Sequence, residues 1–365
     1  MSESSEGNQT MNHFSWNESL PTTMERIASV ATGPTGLSVI NAARRVALAL
    51  PANAEVSQLV LDLYQPRRLA GRCFKQIARP LSQLGLSSLS HRFKPSPAST
   101  ASVEWLAEAA KSETIGFLGC NPAHGLRCVL TGILPEFGKP FIAKLGFDRS
   151  AAAVKREHHN LLKIDGRYPG VAKTISHNEG ENWFLMRMAH LGNKTPKSMM
   201  VPGIGDLLQS WLNADETPLG QNACASYLIE RACVDQSLRG WHRHMEKLKV
   251  RSALIHGDFA IWNLRHTQIG IQAIDWEWAQ VDGIAGIDLV HGLRQEAHLV
   301  HKLPPPAAIA WMKGQLSQHQ WAGYLRQSGW DGELDNLLRI GLLHSHHNAL
   351  NESQGLLREL GIYAD

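Results

Sequence analysis

Two short apolar runs, each ending in charge, constrain this chain more than any other feature. Leu254-Ile255 leads into His256-Gly257-Asp258, and Asn263 follows five residues after Asp258. A second run, Ala273-Ile274, then presents Asp275-Trp276-Glu277. Short apolar runs bounded by turn residues read as buried segments, so the polar residues fall on neighbouring strand ends or loops. Two carboxylates and a carboxamide placed in this way are the equipment for holding a divalent cation and orienting a hydroxyl during phosphoryl transfer.

The rest of the chain limits the class. Its 365 residues are enough for two or three structural units. Apolar content of 43% and charged content of 19% are ordinary for a soluble globular protein. A net charge of +3 makes no case for a nucleic-acid partner. The cysteines (Cys73, Cys120, Cys128, Cys224 and Cys233) are odd in number and lack a C-x-x-C spacing, so they read as reduced thiols. The start of the chain lacks the basic and apolar regions of a secretory signal. No apolar run approaches the roughly 20 residues that span a bilayer. A cytoplasmic location is expected.

In chain order, residues 1–22 are polar and expected to be disordered. A weak helical pattern runs from Met24 to Leu50 through Ile27, Val30, Val39, Ile40, Val46 and Leu48, and Val56–Tyr64 reads as a short helix or strand. Residues 67–94 carry Arg67, Arg68, Arg72, Lys75, Arg79, Arg92 and Lys94 without one acidic residue. Leu69, Cys73 and Ile77 recur every four residues, giving a helix that Gly71 and Pro80 keep short. Two readings stay open for it: weak contact with an anionic membrane surface, or packing of the apolar stripe onto the rest of the protein. Pro95–Thr100 reads as a linker and Val103–Ala110 as a short helix. Residues 1–110 are thus expected to form a helical, partly disordered extension.

From Thr114 the pattern becomes strand-like. Ile115–Gly119, Leu126–Leu134 and Pro140–Leu145 are three strands joined by turns, an antiparallel meander. A helix over Ala151–Ile164 follows, then strands over Val171–Ser176 and Asn182–Met188 with His177–Gly180 as the turn between them. Beyond Gly192, Ile204–Asn213, Ala223–Met245 and the segment from Ala308 onward read as helical. Acidic residues there, among them Asp206, Asp215, Glu216 and Glu246, are balanced by basic ones, so no acidic wall for a polycationic molecule is visible. His344 and His347 share a helix face, but no cysteine or carboxylate completes a metal set. His291, His298 and His301 read as surface and core positions of one helix.

The His256-Gly257-Asp258 and Asp275-Trp276-Glu277 blocks, with Gly286-Ile287-Asp288 downstream, resemble the catalytic and metal-binding segments of the aminoglycoside phosphotransferase/choline kinase group of small-molecule kinases. The resemblance covers roughly Thr114 to Tyr363. It implies an α+β, bilobal protein kinase-like fold: an antiparallel-sheet lobe with one helix over 111–190 and a mainly helical lobe over 191–365. It also implies ATP and Mg²⁺ as cofactors. Lys144 would bind nucleotide phosphates, held by Glu157, although Arg156 and His158 leave the helix register open. Gly119–Gly125 would cover the phosphates, and the backbone of Met186 and Met188 would meet adenine. Asp258 would orient or deprotonate the acceptor hydroxyl, and Asn263 and Asp275 would hold the metal. His256 would tie the loop to the core. Asp288 would buttress it from a helix start, or else serve as a plain N-cap. Trp276 and Glu277 replace the last two residues of Asp-Phe-Gly, which points away from protein substrates. Trp262 and Trp278 either face a sugar or ammonium group or belong to the core.

The function expected is transfer of the γ-phosphate of ATP to a hydroxyl of a sugar, aminoglycoside or amino alcohol. The alternatives are a kinase of a lipid-linked or polysaccharide-precursor sugar near a membrane, or a silent kinase-like scaffold.

Overall fold

The structure, a computed structural model, describes residues 37–43, 46–51, 53–63, 69–83, 115–120, 127–134, 136, 138–147, 149–181, 183–192, 194–234, 240–347 and 354–364. The expected disorder over 1–22, the linker over 95–100 and the helix over 103–110 lie outside these residues. The chain divides into two compact units. The first comprises Met1–Arg156 and Lys173–His190, and the second Glu157–Ala172 and Leu191–Asp365. The fold is α+β, as the resemblance implies.

The first unit is built on an antiparallel sheet of seven strands in the order β1-β2-β3-β4-β5-β7-β6. These are β1 (Leu37–Ala43), β2 (Val46–Pro51), β3 (Ile115–Cys120), β4 (Arg127–Leu134), β5 (Lys139–Phe147), β6 (Thr174–Gly180) and β7 (Trp183–Ala189). Strand β5 lies between β4 and β7, and Phe141, Ala143 and Leu145 are fully buried along it. The Thr131 hydroxyl donates to the Phe141 carbonyl at 2.8 Å, so the one buried hydroxyl of β4 is satisfied. Helix α1 (Ala54–Leu63) buries Val56, Val60 and Leu61 and packs on β2, β3 and β4. Helix α2 (Leu69–Gln83) follows it. Helix α3 (Arg149–Ile164) starts two residues after β5 and carries the chain from the first unit into the second. At that corner the Ser150 hydroxyl accepts the Phe147 N–H at 2.8 Å and lies 2.9 Å from the Phe147 carbonyl. Only a glycine fits at 146, because a Cβ there would stand 2.4 Å from the Ser150 carbonyl oxygen.

Several expectations need correction. Residues 37–51 form a hairpin, not a helix, and β2 pairs with β3, so the supposed extension supplies two strands of the main sheet. Val46, Leu48 and Leu50 alternate with period two, which suits a pleated strand. The His177–Gly180 turn is instead the end of β6, with His177 stacked on Phe184, and the reversal comes one residue later. Helix α2 runs through Pro80. Two residues of its apolar stripe are not packed away: Cys73 is exposed and Ile77 is 62% exposed. Arg79 on the same helix pairs with Asp62.

The second unit is rich in helices: α4 (Ile204–Ser210), α5 (Ala223–Arg231), α6 (Trp241–Lys247), α7 (Ile287–Gln295), α8 (Pro305–Leu316), α9 (His319–Ser328), α10 (Leu334–His347) and α11 (Gln354–Glu359). It also holds three small sheets. Strand β10 (Lys249–Ile255) lies between β8 (Leu212–Pro218) and β13 (Gln280–Ile284). Strands β11 (Leu264–Thr267) and β12 (Gly270–Ala273) form a hairpin, and β9 (Ala232–Val234) pairs with β14 (Ile362–Ala364). Two expected helices are therefore too long. The one from Ile204 stops at Ser210, where pairing of 212–218 with β10 takes over, and the one from Ala223 stops at Arg231.

The core beneath β10 is aromatic. Trp211 meets Trp276 edge-on at 5.2 Å and Phe259 at 5.6 Å, and all three are fully buried. Trp330, also fully buried, donates its indole N–H to the Ala285 carbonyl at 2.7 Å, at the entry to α7. No described helix is long and apolar enough to cross a membrane. Trp330→Phe keeps most of the apolar volume but leaves the Ala285 carbonyl without its donor. It should lower the free energy of unfolding by about 1–3 kcal/mol, read as a shift in the urea midpoint at unchanged slope.

Candidate active site

Strand β10 ends at Ile255, and His256-Gly257-Asp258 turn away from its end. Gly257 has φ +83, and a Cβ on it would lie 2.6 Å from atoms of Trp278, so glycine is required by both conformation and space. His256 is fully buried. Its Nε2 lies 2.7 Å from the Ile274 carbonyl, and its Nδ1 accepts the Asp258 N–H at 3.2 Å. The proton therefore sits on Nε2. Burial lowers the His256 pKa, which favours this neutral form.

Asp288 holds the loop from the other side. It stands in the first turn of α7, whose N-cap is Gly286, so it is not a plain cap. Its carboxylate accepts the His256 N–H at 2.7 Å and the Gly257 N–H at 3.1 Å. Burial raises its pKa to about 7 and the charge of Asp258 pushes the same way, while the two N–H bonds oppose both.

Asn263 lies on the short turn Ile261–Asn263. Its Nδ2 donates to the Asp258 carbonyl at 2.9 Å and to Asp258 Oδ2 at 3.0 Å, which leaves Oδ1 as the oxygen available to a cation. The backbone of Ile274 joins the two blocks: its N–H donates to the Asn263 carbonyl at 2.9 Å, and its carbonyl faces His256. Asp275 comes next with φ +74, a left-handed conformation uncommon for a residue with a side chain. Trp276 is core, and its N–H donates to Glu157 Oε1 at 3.2 Å. Trp278 is 46% exposed.

Asp258, Asn263, His256 and Asp288 are thus brought together by hydrogen bonds, and Asp275 follows directly on the peptide they share. Glu157 is buried and bonded to that second block. In the first unit, Lys144 lies on β5, 7% exposed, in register with Val129 and Met186. Two nucleotide-binding expectations change. Met186 and Met188 are buried on β7 in register with partners on both sides, so the ladder uses their backbone groups. Gly119 is likewise a ladder residue, facing Ala47 and Cys128 rather than forming a loop. Gly125 lies outside the described residues.

Three contributors were not anticipated. His291 Nε2, on α7, lies 3.0 Å from Asp258 Oδ1, although this histidine reads in sequence as one more helix position. Its spacing of one turn from Asp288 was the available signal. Asn160 Nδ2, one turn beyond Glu157, donates to the Trp276 and Glu277 carbonyls at 3.0 and 3.3 Å. Arg265 donates to the Trp262 and Leu264 carbonyls, and burial lowers its pKa to about 10 despite the nearby Asp275 charge.

The donor set suits Mg²⁺. Among the described residues no group of three or more His, Cys, Asp or Glu could form a dedicated cage. Mg²⁺ takes oxygen ligands and is commonly held by one or two protein groups together with waters and substrate phosphates. The Oδ1 of Asn263 and the carboxylate of Asp275 meet that requirement.

No protein-family model matches the chain, and no curated protein matches it. Solved structures do match. One is an aminoglycoside-3'-phosphotransferase of type VIII, 16% identical over 66% of this chain and 96% of that one, with a TM-score of 0.41. Another is a thermostable mutant of the aminoglycoside phosphotransferase APH(4)-Ia, 12% identical over 70% and 92%, with a TM-score of 0.42. A third is macrolide 2'-phosphotransferase MphH from Brachybacterium faecium, 14% identical over 64% and 88%, with a TM-score of 0.36. These solved neighbours are phosphotransferases.

Asp288 sets a pH dependence. With a folded-state pKa of about 7, it keeps a proton that the unfolded chain gives up near pH 4. Stability from this group is therefore present at low pH and lost as pH rises from about 4 to about 7, at on the order of 1 kcal/mol per pH unit. Denaturant titrations at pH 5 and 7.5 should show the loss in the wild type and a smaller one in Asp288→Asn. An equal loss in both would remove Asp288 as the cause.

Proposed function

We propose that this protein is an ATP- and Mg²⁺-dependent phosphotransferase that moves the γ-phosphoryl group to a hydroxyl of a small molecule. The observation that carries the reading is the state of Asp258. Its carboxylate is fixed on one oxygen by Asn263 Nδ2 and faces His291 Nε2 on the other, yet its side chain remains 37% exposed. A carboxylate held rigidly and still open to solvent can meet an incoming hydroxyl.

In this reaction the acceptor oxygen bonds to the γ-phosphorus as the bond from phosphorus to the β–γ bridging oxygen breaks, ADP leaves, and the hydroxyl proton passes to Asp258 or to water. The transition state is loose, so orientation of the hydroxyl counts for more than base strength. His291 and Asn263 set the direction of the Asp258 carboxylate. His256 and Asp288 hold the backbone that carries it. Asn263 Oδ1 and Asp275 would hold Mg²⁺, which supplies neutralisation of phosphate charge. The resemblance assigns Lys144 to the nucleotide phosphates.

A second reading, a kinase of a lipid-linked or polysaccharide-precursor sugar, is favoured by one observation: α2 presents Ile77 and Leu81 to solvent beside basic residues.

ATP with Mg²⁺ at about 100 times its Kd should stabilise the protein by about 2.7 kcal/mol, and a scaffold that binds no nucleotide would show no such shift. Asp258→Ala should keep that stabilisation while lowering turnover by roughly 10²-fold or more. Turnover unchanged by Asp258→Ala would rule out the assignment. His291→Ala should lower kcat more than it raises the KM for ATP, because it frees the carboxylate without touching the nucleotide end. An equal loss in His291→Ala and His291→Asn would argue for a packing role only.

A further inference from the structure

Asp275 sits between two peptide planes, and each plane is held by a buried side chain. The peptide before it offers the Ile274 carbonyl, which lies 2.7 Å from Nε2 of His256. The peptide after it offers the Trp276 N–H, which donates to Glu157 Oε1 at 3.2 Å. His256 is fully buried and Glu157 is 1% exposed, so water does not compete for either bond. Peptides are planar, so holding these two planes sets φ and ψ of the residue between them. Asp275 has φ +74, in a region that few residues with a side chain enter and that persists where the surroundings over-determine it.

Residues 157–172 belong to the same compact unit as this block, and they grip it at both ends. Upstream, the Ala273 N–H donates to the Gly170 carbonyl at 2.8 Å, and Val171 forms a parallel bridge with Ala273. Downstream, Asn160 Nδ2 donates to the Trp276 carbonyl at 3.0 Å and to the Glu277 carbonyl at 3.3 Å. Asn160 stands one turn after Glu157 on α3, so the two side chains leave the same face of the helix. Glu157 takes the N–H of Trp276 and Asn160 takes its carbonyl, so the residue after Asp275 is held by both backbone groups. Asparagine is a poor helix former, because its amide competes for nearby backbone groups. Here the amide instead reaches carbonyls 116 and 117 residues away in sequence. Helix propensity gives no reason for this residue, and the grip does.

In the proposed phosphotransferase the Asp275 carboxylate is a cation ligand, and groups behind a ligand set its direction. We propose that Asn160 is a positioning residue for the divalent cation: with Glu157 it holds the peptides that follow Asp275 and so aims the Asp275 carboxylate. Asn160 acts through Asp275 and not on the cation itself. The inference rests on the phosphotransferase reading for the cation at Asp275, whereas the grip on residues 276 and 277 is independent of it.

The test uses the full chain and Mn²⁺, a paramagnetic stand-in for Mg²⁺, with ADP saturating. Free Mn²⁺, read by electron paramagnetic resonance, gives the affinity of the site without turnover. Asn160→Asp keeps the size of the side chain but sets a carboxylate against two carbonyl oxygens. It should weaken Mn²⁺ binding by about tenfold or more. Asn160→Ala removes the grip without the repulsion and should lose less; it carries the test if Asn160→Asp fails to fold. Hydrogen exchange at the Trp276 amide should quicken in both variants, while ADP affinity measured without metal should match the wild type. In turnover, the KM for Mg²⁺ should rise by a larger factor than kcat falls at saturating Mg²⁺. Unchanged Mn²⁺ affinity in a folded variant, even one with a lower thermal midpoint, would overturn the proposal and leave Asn160 a packing residue. A loss of the same size in metal-free ADP binding would overturn it too. Both of those results leave the phosphotransferase reading intact. A wild type that binds neither ADP nor Mn²⁺ would overturn that reading and the proposal with it.

Discussion

The site depends on one buried carboxylate holding two backbone N–H groups. Asp288 accepts from His256 and from Gly257, the two residues that begin the turn out of β10. Without those bonds a sharp turn with a left-handed glycine would have two buried donors unsatisfied, at a cost of about 1–3 kcal/mol each. Asp288 is itself well placed. Trp330 fixes the Ala285 carbonyl, and the Tyr324 hydroxyl accepts the Gly286 N–H at 2.8 Å. The start of α7 is therefore held by two residues of the α9 region before Asp288 reaches the loop. From there the order passes through His256 to Ile274 and through Asn263 to Asp258, so the exposed carboxylate inherits its direction from the core.

What was legible in the sequence was local. The five strands after Thr114 and the helix after β5 announce themselves through alternation, turn residues and helical spacing, and their order is found as expected. The two polar blocks of the candidate site were legible because a few polar residues recur there at fixed spacing. Pairing across long separations was not legible. Val234 finds Ile362, and Glu216 finds Arg251, in short strands whose own sequences look helical or neutral. The hairpin over 37–51 failed for a different reason: the larger apolar residues Val46, Leu48 and Leu50 recur at period two but were read at period 3.6.

Two of the contributors that went unseen share a property. His291 and Asn160 each act by touching a carboxylate or backbone remote in sequence, whereas Arg265 bonds the carbonyls of its own turn and strand. A histidine one turn after Asp288 becomes informative only when the carboxylate it meets is in place.

The pairing of β2 with β3 has a consequence for how this chain can be cut. In the full protein β3 is an interior strand, with Val46, Ala47, Leu48 and Ala49 facing Cys120, Gly119, Leu118 and Phe117. A version beginning after residue 110, natural or made, would turn β3 into a sheet border with a bare row of amide donors and carbonyl acceptors along Ile115–Cys120. Such a border is a template for another chain. The early hairpin thus moves the border of the described sheet from β3 out to β1.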